Sequence, residues 1–231
     1  MNYFETVEKR RSIRKFTEES VPDSIIEKAL DAAIIAPNSS NTQTWNFYWV
    51  QSEAPKVSLI KACLSQAAAR TAQKLVVVVA DPILWKRSLP DLQKFNDEVN
   101  APKLVKMYYN KLIPLVYRWG FLNSLGILKA LSANIVGMFQ PMSRGPHTLR
   151  DLQEVSIKSA ALAAENFVLA ITAQGYSSCM MEGFDERRVK KLLKLGRTAR
   201  VVMVIAVGRE SERGTWGPRF RIPREQVIHR I

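Results

Sequence analysis

Arg10, Arg11, Ser12, Arg14 and Lys15 place four cations and a hydroxyl within six residues, at the end of a short helix predicted over 2–10. Guanidinium groups present planar forks of donors that match phosphate oxygens, and a serine hydroxyl adds a short hydrogen bond. A solvated basic turn has the same composition, so the run alone does not decide between the two. Far along the chain, Arg219 and Arg221 alternate within Gly217 to Pro223. On an extended segment they point the same way and can reach one anion, with plain surface charge as the alternative.

Two further stretches have site chemistry. Pro37 to Trp45, with Asn38, Ser39, Ser40, Asn41, Thr42, Gln43 and Thr44 between them, offers many small donors and acceptors. It serves as a turn, or as a loop that meets the polar edge of a heterocycle. Met180-Met181-Glu182-Gly183-Phe184-Asp185 puts a glycine, which permits close backbone approach, just before a predicted helix. No glycine-rich dinucleotide or nucleotide-phosphate loop, no GxSxG elbow and no HExxH helix occurs. Two histidines and two cysteines, Cys63 and Cys179, show no metal-ligand spacing, and two thiols agree with a reducing compartment.

The elements that must position these residues follow from periodicity. Ser24 and Glu27 have capping-box spacing before an apolar stripe of Ile25, Ile26, Ala29, Leu30, Ala33 and Ile34, and Pro37 stops that helix. Trp45–Val50 and Leu75–Ala80 read as strands, the second apolar enough to be covered on both faces. A long Ala-rich helix over 154–174 should end at Gly175. Ser177–Met181 reads as a short strand, Asp185 as the cap of a basic helix through Leu195, and Val201–Val207 as the last strand. The tail 208–231 has six arginines and no core element of its own.

A chain of 231 residues, 47% hydrophobic and 24% charged, suits one well-cored domain. The formal charge of +13 favours anionic partners without choosing among phosphates, nucleic acid and lipid headgroups. The N-terminus has no secretory pattern. Trp119 to Phe139 approaches the length of a membrane span, but Asn123, Ser124, Lys129, Ser132 and Asn134 interrupt it. Leu128, Leu131, Ile135 and Met138 recur at helical spacing, so a buried or interfacial helix is preferred over a span, and peripheral membrane contact is kept as a less favoured option.

In this order, RRSIRKF at 10–16, APNSSNTQTWNF at 36–47, KSAALAAENFVLAITAQGY at 158–176, MEGFD at 181–185, VIAVGRE at 204–210 and PRFRIP at 218–223 resemble the nitroreductase family of FMN enzymes. The resemblance implies an α+β layered sandwich, one domain over 1–231, with a mainly antiparallel central sheet flanked by helices. It also implies a homodimer that exchanges C-terminal tails, and a helical lid or insertion at about 82–150. By that likeness Arg10, Arg11, Ser12 and Arg14 hold the FMN phosphate and ribityl chain, and Arg219 and Arg221 close on the phosphate. Amides of Glu182 and Gly183 face the flavin N5 and O4 edge, while Pro37, Asn38, Ser39 and Asn41 arrive from the partner subunit. Many members place an Asn and a Lys before the second strand; Ser65, Gln66 and Arg70 stand there instead, and Gln66 or Arg70 would take that role.

The implied activity is a cytoplasmic, two-step exchange. NADH or NADPH delivers a hydride to FMN, and a small electron-poor acceptor such as a nitroaromatic or quinone then enters the same pocket. No side chain is required as an acid or base, so the catalytic set is empty, as is the metal set. Other redox chemistry on the same fold, reductive dehalogenation or metabolite dehydrogenation, is the first rival. A nucleic-acid- or membrane-surface-binding module is the second, kept in view by the seven Lys and Arg residues of 186–200; no nucleic-acid partner is expected. Tyr108, Tyr109, Tyr117, Trp119 and Phe121 are either lid aromatics or helical core.

Overall fold

Leu75, Val77 and Val79 face one core, while Val76, Val78 and Ala80 face another. Alternate side chains of a strand point to opposite sides, so this uninterrupted apolar run must be the centre of a sheet covered twice. The computed structural model describes residues 1–231, and its four strands are β1 (Trp45–Val50), β2 (Lys74–Ala80), β3 (Ser177–Met181) and β4 (Arg200–Gly208). They lie in the order β1-β2-β4-β3 with every pairing antiparallel. A register shift between Val78 and Val79 lets β2 stay paired with β4 along its whole length.

Ten helices surround the sheet: α1 (Tyr3–Lys9), α2 (Asp23–Ile34), α3 (Glu53–Ala62), α4 (Ala67–Thr71), α5 (Trp85–Glu98), α6 (Lys103–Met107), α7 (Ile113–Val116), α8 (Ser124–Val136), α9 (Leu149–Ala173) and α10 (Glu186–Leu192). Ile26, Ala29 and Ala33 of α2 and Ala163, Phe167 and Ile171 of α9 cover one face. Leu59 and Ala62 of α3, Ala68 and Ala69 of α4 and Val189 of α10 cover the other. The result is a helix–sheet–helix sandwich of the α+β class, as expected. Alone among the helices, α9 is long and apolar enough to cross a membrane, and it lies against the sheet as core.

Its ends show why it runs so far. Thr148 and Asp151 form a capping box, which begins the helix at Leu149 rather than at 154. The Asp151 carboxyl is held below its ordinary range by backbone amides of Thr148 and His147. At the other end Gly175 takes φ +82°, and the Gly175 and Tyr176 amides donate to the Thr172 and Ile171 carbonyls. That double closure needs a left-handed residue, and glycine supplies it at no steric cost.

Three expectations are corrected. Ser24 does not cap α2: the helix begins two residues earlier, at Asp23, with Pro22 at the cap position and no side-chain cap bond. The basic helix after Asp185 stops at Leu192 instead of Leu195, where Leu193, Lys194 and Leu195 turn back toward β4 with Lys194 at φ +54°. Most consequential, the buried alternative for the apolar stripe of α8 falls and the interfacial one is left open: Leu128, Leu131 and Ile135, with Met138 just past the helix, are all exposed. The aromatic set divides as well, with Tyr117 buried on Trp85 and Phe121 open to solvent. Between α6 and α7, residues Tyr108–Leu112 form a π-helical turn. Pro114, two residues past this turn, lacks the N–H that an α-helical ladder needs, and a widened turn accommodates it.

Phe167 is fully buried between α2 and the sheet. Phe167→Ala should cost about 3–5 kcal/mol, because the cavity cannot close around a 25-residue helix fixed at both ends. Denaturant unfolding checks this; a loss under about 1 kcal/mol would contradict the packing described.

Candidate functional site

Ile13 and Phe16 are buried in the core, and they fix the segment between α1 and α2 against the edge of the sheet. The Ile13 amide donates to the Ser178 carbonyl of β3 at 2.9 Å, and the Arg14 amide to the Gly214 carbonyl at 2.6 Å. Phe16 bridges Glu210, and the Phe16 amide donates to Thr71 Oγ1 at 3.0 Å. Gly208 is required here, since a Cβ would come within 2.8 Å of the Phe16 ring. With Ile13 and Phe16 turned inward, Ser12, Arg14 and Lys15 are left toward solvent.

The opposite wall is 215–221. Together they enclose a cleft of about 510 Å³ lined by Arg10, Arg11, Ser12 and Arg14 on one side and by Trp216, Arg219 and Arg221 on the other. Arg11 Nη2 donates to the Gly217 carbonyl at 2.6 Å. Arg219 Nη2 donates to the Glu8 carbonyl at 2.7 Å and also to the Arg10 carbonyl. The Arg14 guanidinium lies over the Trp216 ring, 4.8 Å from its centre. Arg10 Nε sits 3.2 Å from Glu165 Oε1, without hydrogen-bond alignment. No carboxylate lines the cleft, so five guanidiniums share a space whose natural occupant is a multiply charged anion. Six of the seven residues of the two basic stretches come together here, and Lys15 stays outside the cleft.

Leaving this cleft along β3, the strand that Ser12 bridges at Ser178, the chain reaches Glu182 and Gly183. At about 3.3 Å per residue the two points lie roughly 15 Å apart. The Glu182 and Gly183 amides are exposed and donate to no other group of the chain. Gln66 Nε2 donates to the Gly183 carbonyl at 2.9 Å and to the Cys63 carbonyl at 3.1 Å. Asp185 is tied to the Ala62 carbonyl at 2.8 Å, which fixes the turn to α3. A Cβ on Gly183 would meet only the Gln66 amide nitrogen, at 3.8 Å, so this side of the turn is open. Gln66 therefore sits at the turn and Arg70 projects to solvent.

The loop of Pro37, Asn38, Ser39 and Asn41 does not line the arginine cleft of its own chain. It is held in a rare conformation, with Ser40, Asn41 and Gln43 at φ between 47° and 54°. Asn38 Oδ1 accepts from the Gln43 amide at 2.8 Å, and Ser40 Oγ shares a hydrogen bond of 2.5 Å with the Tyr108 hydroxyl. Ser39 and Ser40 instead border an apolar cavity of about 580 Å³ walled by Leu112, Val116, Leu128 and Ala133. Trp216 and Thr215 line the cleft without having been nominated from the sequence. The signal was there: a tryptophan between two glycines beside an arginine-rich tail has no core to fill.

Three of the seven cations of 186–200 are engaged: Arg188 pairs with Asp185, Arg200 pairs with Glu186, and Lys190 donates to the Arg197 and Ala199 carbonyls. Arg187, Lys191, Lys194 and Arg197 are exposed and without a carboxylate partner.

The model of the Nitroreductase family matches residues 7–209. The chain belongs to the nitroreductase family. It is an oxidoreductase of that family, and its sandwich is the fold the resemblance implied. Among curated proteins it is similar to protein DrgA of Synechocystis, 28% identical over 214 residues covering 92% of this chain and 86% of that protein. It is also similar to an NADH dehydrogenase of Thermus thermophilus, 26% identical over 226 residues covering 95% and 91%. A protein of Exiguobacterium sibiricum, whose crystal structure is a complex with FMN, superposes with a TM-score of 0.73 at 19% identity over 100% of this chain and 98% of that one.

Neither thiol takes part. Burial pushes Cys63 up to about 11, and burial also raises Cys179 against an opposing pull from Arg14. At pH 8 about one part in a thousand of Cys63 is thiolate. Both thiols should resist a disulfide-exchange reagent in the native protein and react once it is unfolded; prompt native labelling would show that the core opens.

Proposed function

We propose that the chain binds FMN in the arginine cleft and uses NADH or NADPH to reduce electron-poor acceptors such as nitroaromatics or quinones. The observation that carries this is a cleft with five guanidiniums and no carboxylate, joined by β3 to a turn with two free amides. The separation suits a cofactor with a phosphate at one end and a polar ring edge at the other. When bound, FMN supplies hydride acceptance and release at its ring.

The chain's own residues do the rest. Arg10, Arg11, Arg14, Arg219 and Arg221 bind the phosphate, with the Ser12 hydroxyl as a further donor. The Glu182 and Gly183 amides donate to the ring edge where negative charge develops, and Gln66 fixes the Gly183 carbonyl so that these amides stay aimed. The apolar cavity beside Ser39 and Ser40 receives the acceptor and excludes water from it. No side chain is asked to carry a proton.

Homodimerisation is part of the proposal. Pro37, Asn38, Ser39 and Asn41 are outside their own chain's cleft, and a second subunit delivers them to the ring. Residues 217–231 are exposed throughout, including Ile222, Val227 and Ile228, which an exchanged tail would cover. The outer edge of β1 carries no strand and can accept one. A nicotinamide reductant supports a cytoplasmic location.

Purified protein should be yellow, or become so on adding FMN, and should oxidise NAD(P)H in the presence of a quinone or nitroaromatic. Removing both Arg14 and Arg221 as alanines should weaken FMN binding by about tenfold or more per arginine while the fold survives. Flavin-fluorescence titration measures this. Failure to bind FMN at all would overturn the proposal.

A further inference from the structure

α8 is built inside out. The side turned toward the protein has Gly126, where a Cβ would come within 2.5 Å of the His147 carbonyl, together with Lys129 and the buried Ala133. Lys129 Nζ donates to the carbonyls of Leu115, Val116 and Arg118, so the ammonium closes the end of α7 and anchors α8 there. Small and charged residues thus face inward, and the large apolar ones face out. Between Phe121 and Met142 ten large apolar side chains are each at least 45% exposed. Leu128 and Met142 also line the cavity beside Ser39, while Ile127, Leu131, Ile135, Met138 and Phe139 form an open face, too many and too close to be scattered surface residues.

The charge around them is one-sided. From Val99 to Arg150 the chain has seven Lys and Arg residues and no Asp or Glu. Lys106 is paired with Asp97, Lys129 is taken by the α7 carbonyls, and Arg144 bonds Asn134 and the Gly137 carbonyl. Lys103, Lys111, Arg118 and Arg150 are left exposed and without a carboxylate. Lys111 and Arg118 line one surface groove with Leu115, Leu125 and Leu128, so the apolar patch and free cations share a face.

We propose that this face, with α8 at its centre, lies on an anionic phospholipid surface. The apolar side chains enter the boundary between headgroups and acyl chains, and the Lys and Arg stems extend along them to place their cations among lipid phosphates. The anionic lipids of the cytoplasmic leaflet supply the complementary charge. A second copy packed through the same face on the two-fold axis fits less well, because Lys111 and Arg118 would meet like charge. The docking does not rest on the proposed redox activity.

Sedimentation of the full-length protein with vesicles tests it. Binding is expected to phosphatidylcholine vesicles containing about one third phosphatidylglycerol, and not to phosphatidylcholine alone; added salt should weaken it. Leu131→Glu with Ile135→Glu should reduce binding more than tenfold, with the unfolding midpoint and any flavin spectrum unchanged. Lys111→Ser and Arg118→Ser should each lower it by about fivefold, and they leave the apolar face intact. Absence of binding to the anionic vesicles overturns the proposal. So does binding that survives both the glutamate and the serine variants. Loss of oligomeric mass in the glutamate variant, with no vesicle binding by the parent, would assign the face to contacts between copies instead.

Discussion

Five guanidinium groups cannot share one cleft unless something holds them against mutual repulsion, and how they are held decides what the cleft can do. Carboxylates would hold them by cancelling the charge. Here the fasteners are mostly neutral: Arg11 is held by the Gly217 carbonyl, Arg219 by the carbonyls of Glu8 and Arg10, and Arg14 by the face of Trp216. Only Arg10 has a carboxylate beside it. Carbonyl dipoles and an aromatic face fix geometry while leaving net charge in place, so an arriving anion meets an assembled field. The same anion relieves the repulsion, which makes binding and local stability one event.

That arrangement depends on apolar burial one layer down. Ile13 and Phe16 drive the N-terminal segment into the core, and the Ile13 and Arg14 amides complete its registration on β3 and on the turn at Gly214. Gly214 tolerates no side chain there, since a Cβ would meet Ile13 and Glu210 at 3.0 Å or less. Both walls of the cleft are therefore supported by the same two strands, β3 and β4. The strand that fixes Ser12 also leads to Gly183, so the arginine cleft and the free-amide turn keep a constant separation.

Legibility in the sequence followed how local each cause is. Strands such as Trp45–Val50 and Ser177–Met181, and the Gly175 stop, are set by side-chain type over a few residues, and they were readable to the residue. Cap positions were less so, because Ser24 and Pro22 differ only in which backbone geometry the preceding loop allows. The arginines of both basic stretches were nominated by type, yet composition could not say that 206 residues of chain close between Arg11 and Gly217. Trp216 was missed because its partner is a cation, not a core. The outward face of α8 misled for a related reason: periodicity identifies an apolar side of a helix but not which way that side is turned.

Two surfaces of this chain lack a cover, and their backbones call for different ones. Residues 217–223 are extended or irregular, with two prolines and no backbone–backbone hydrogen bond along their own segment. Such a segment cannot enter a hydrocarbon environment, where every peptide group must already be satisfied. Its cover must offer hydrogen bonds, as the edge of a second subunit's sheet does. α8 is the opposite case, because its peptide groups are closed within the helix and only apolar side chains remain to be covered. Lipid can do that without offering a single hydrogen bond, and the cations beside Leu115, Leu125 and Leu128 set the orientation. The distribution of satisfied backbone thus fits both proposals, protein over the tail and the bilayer surface over the inverted helix.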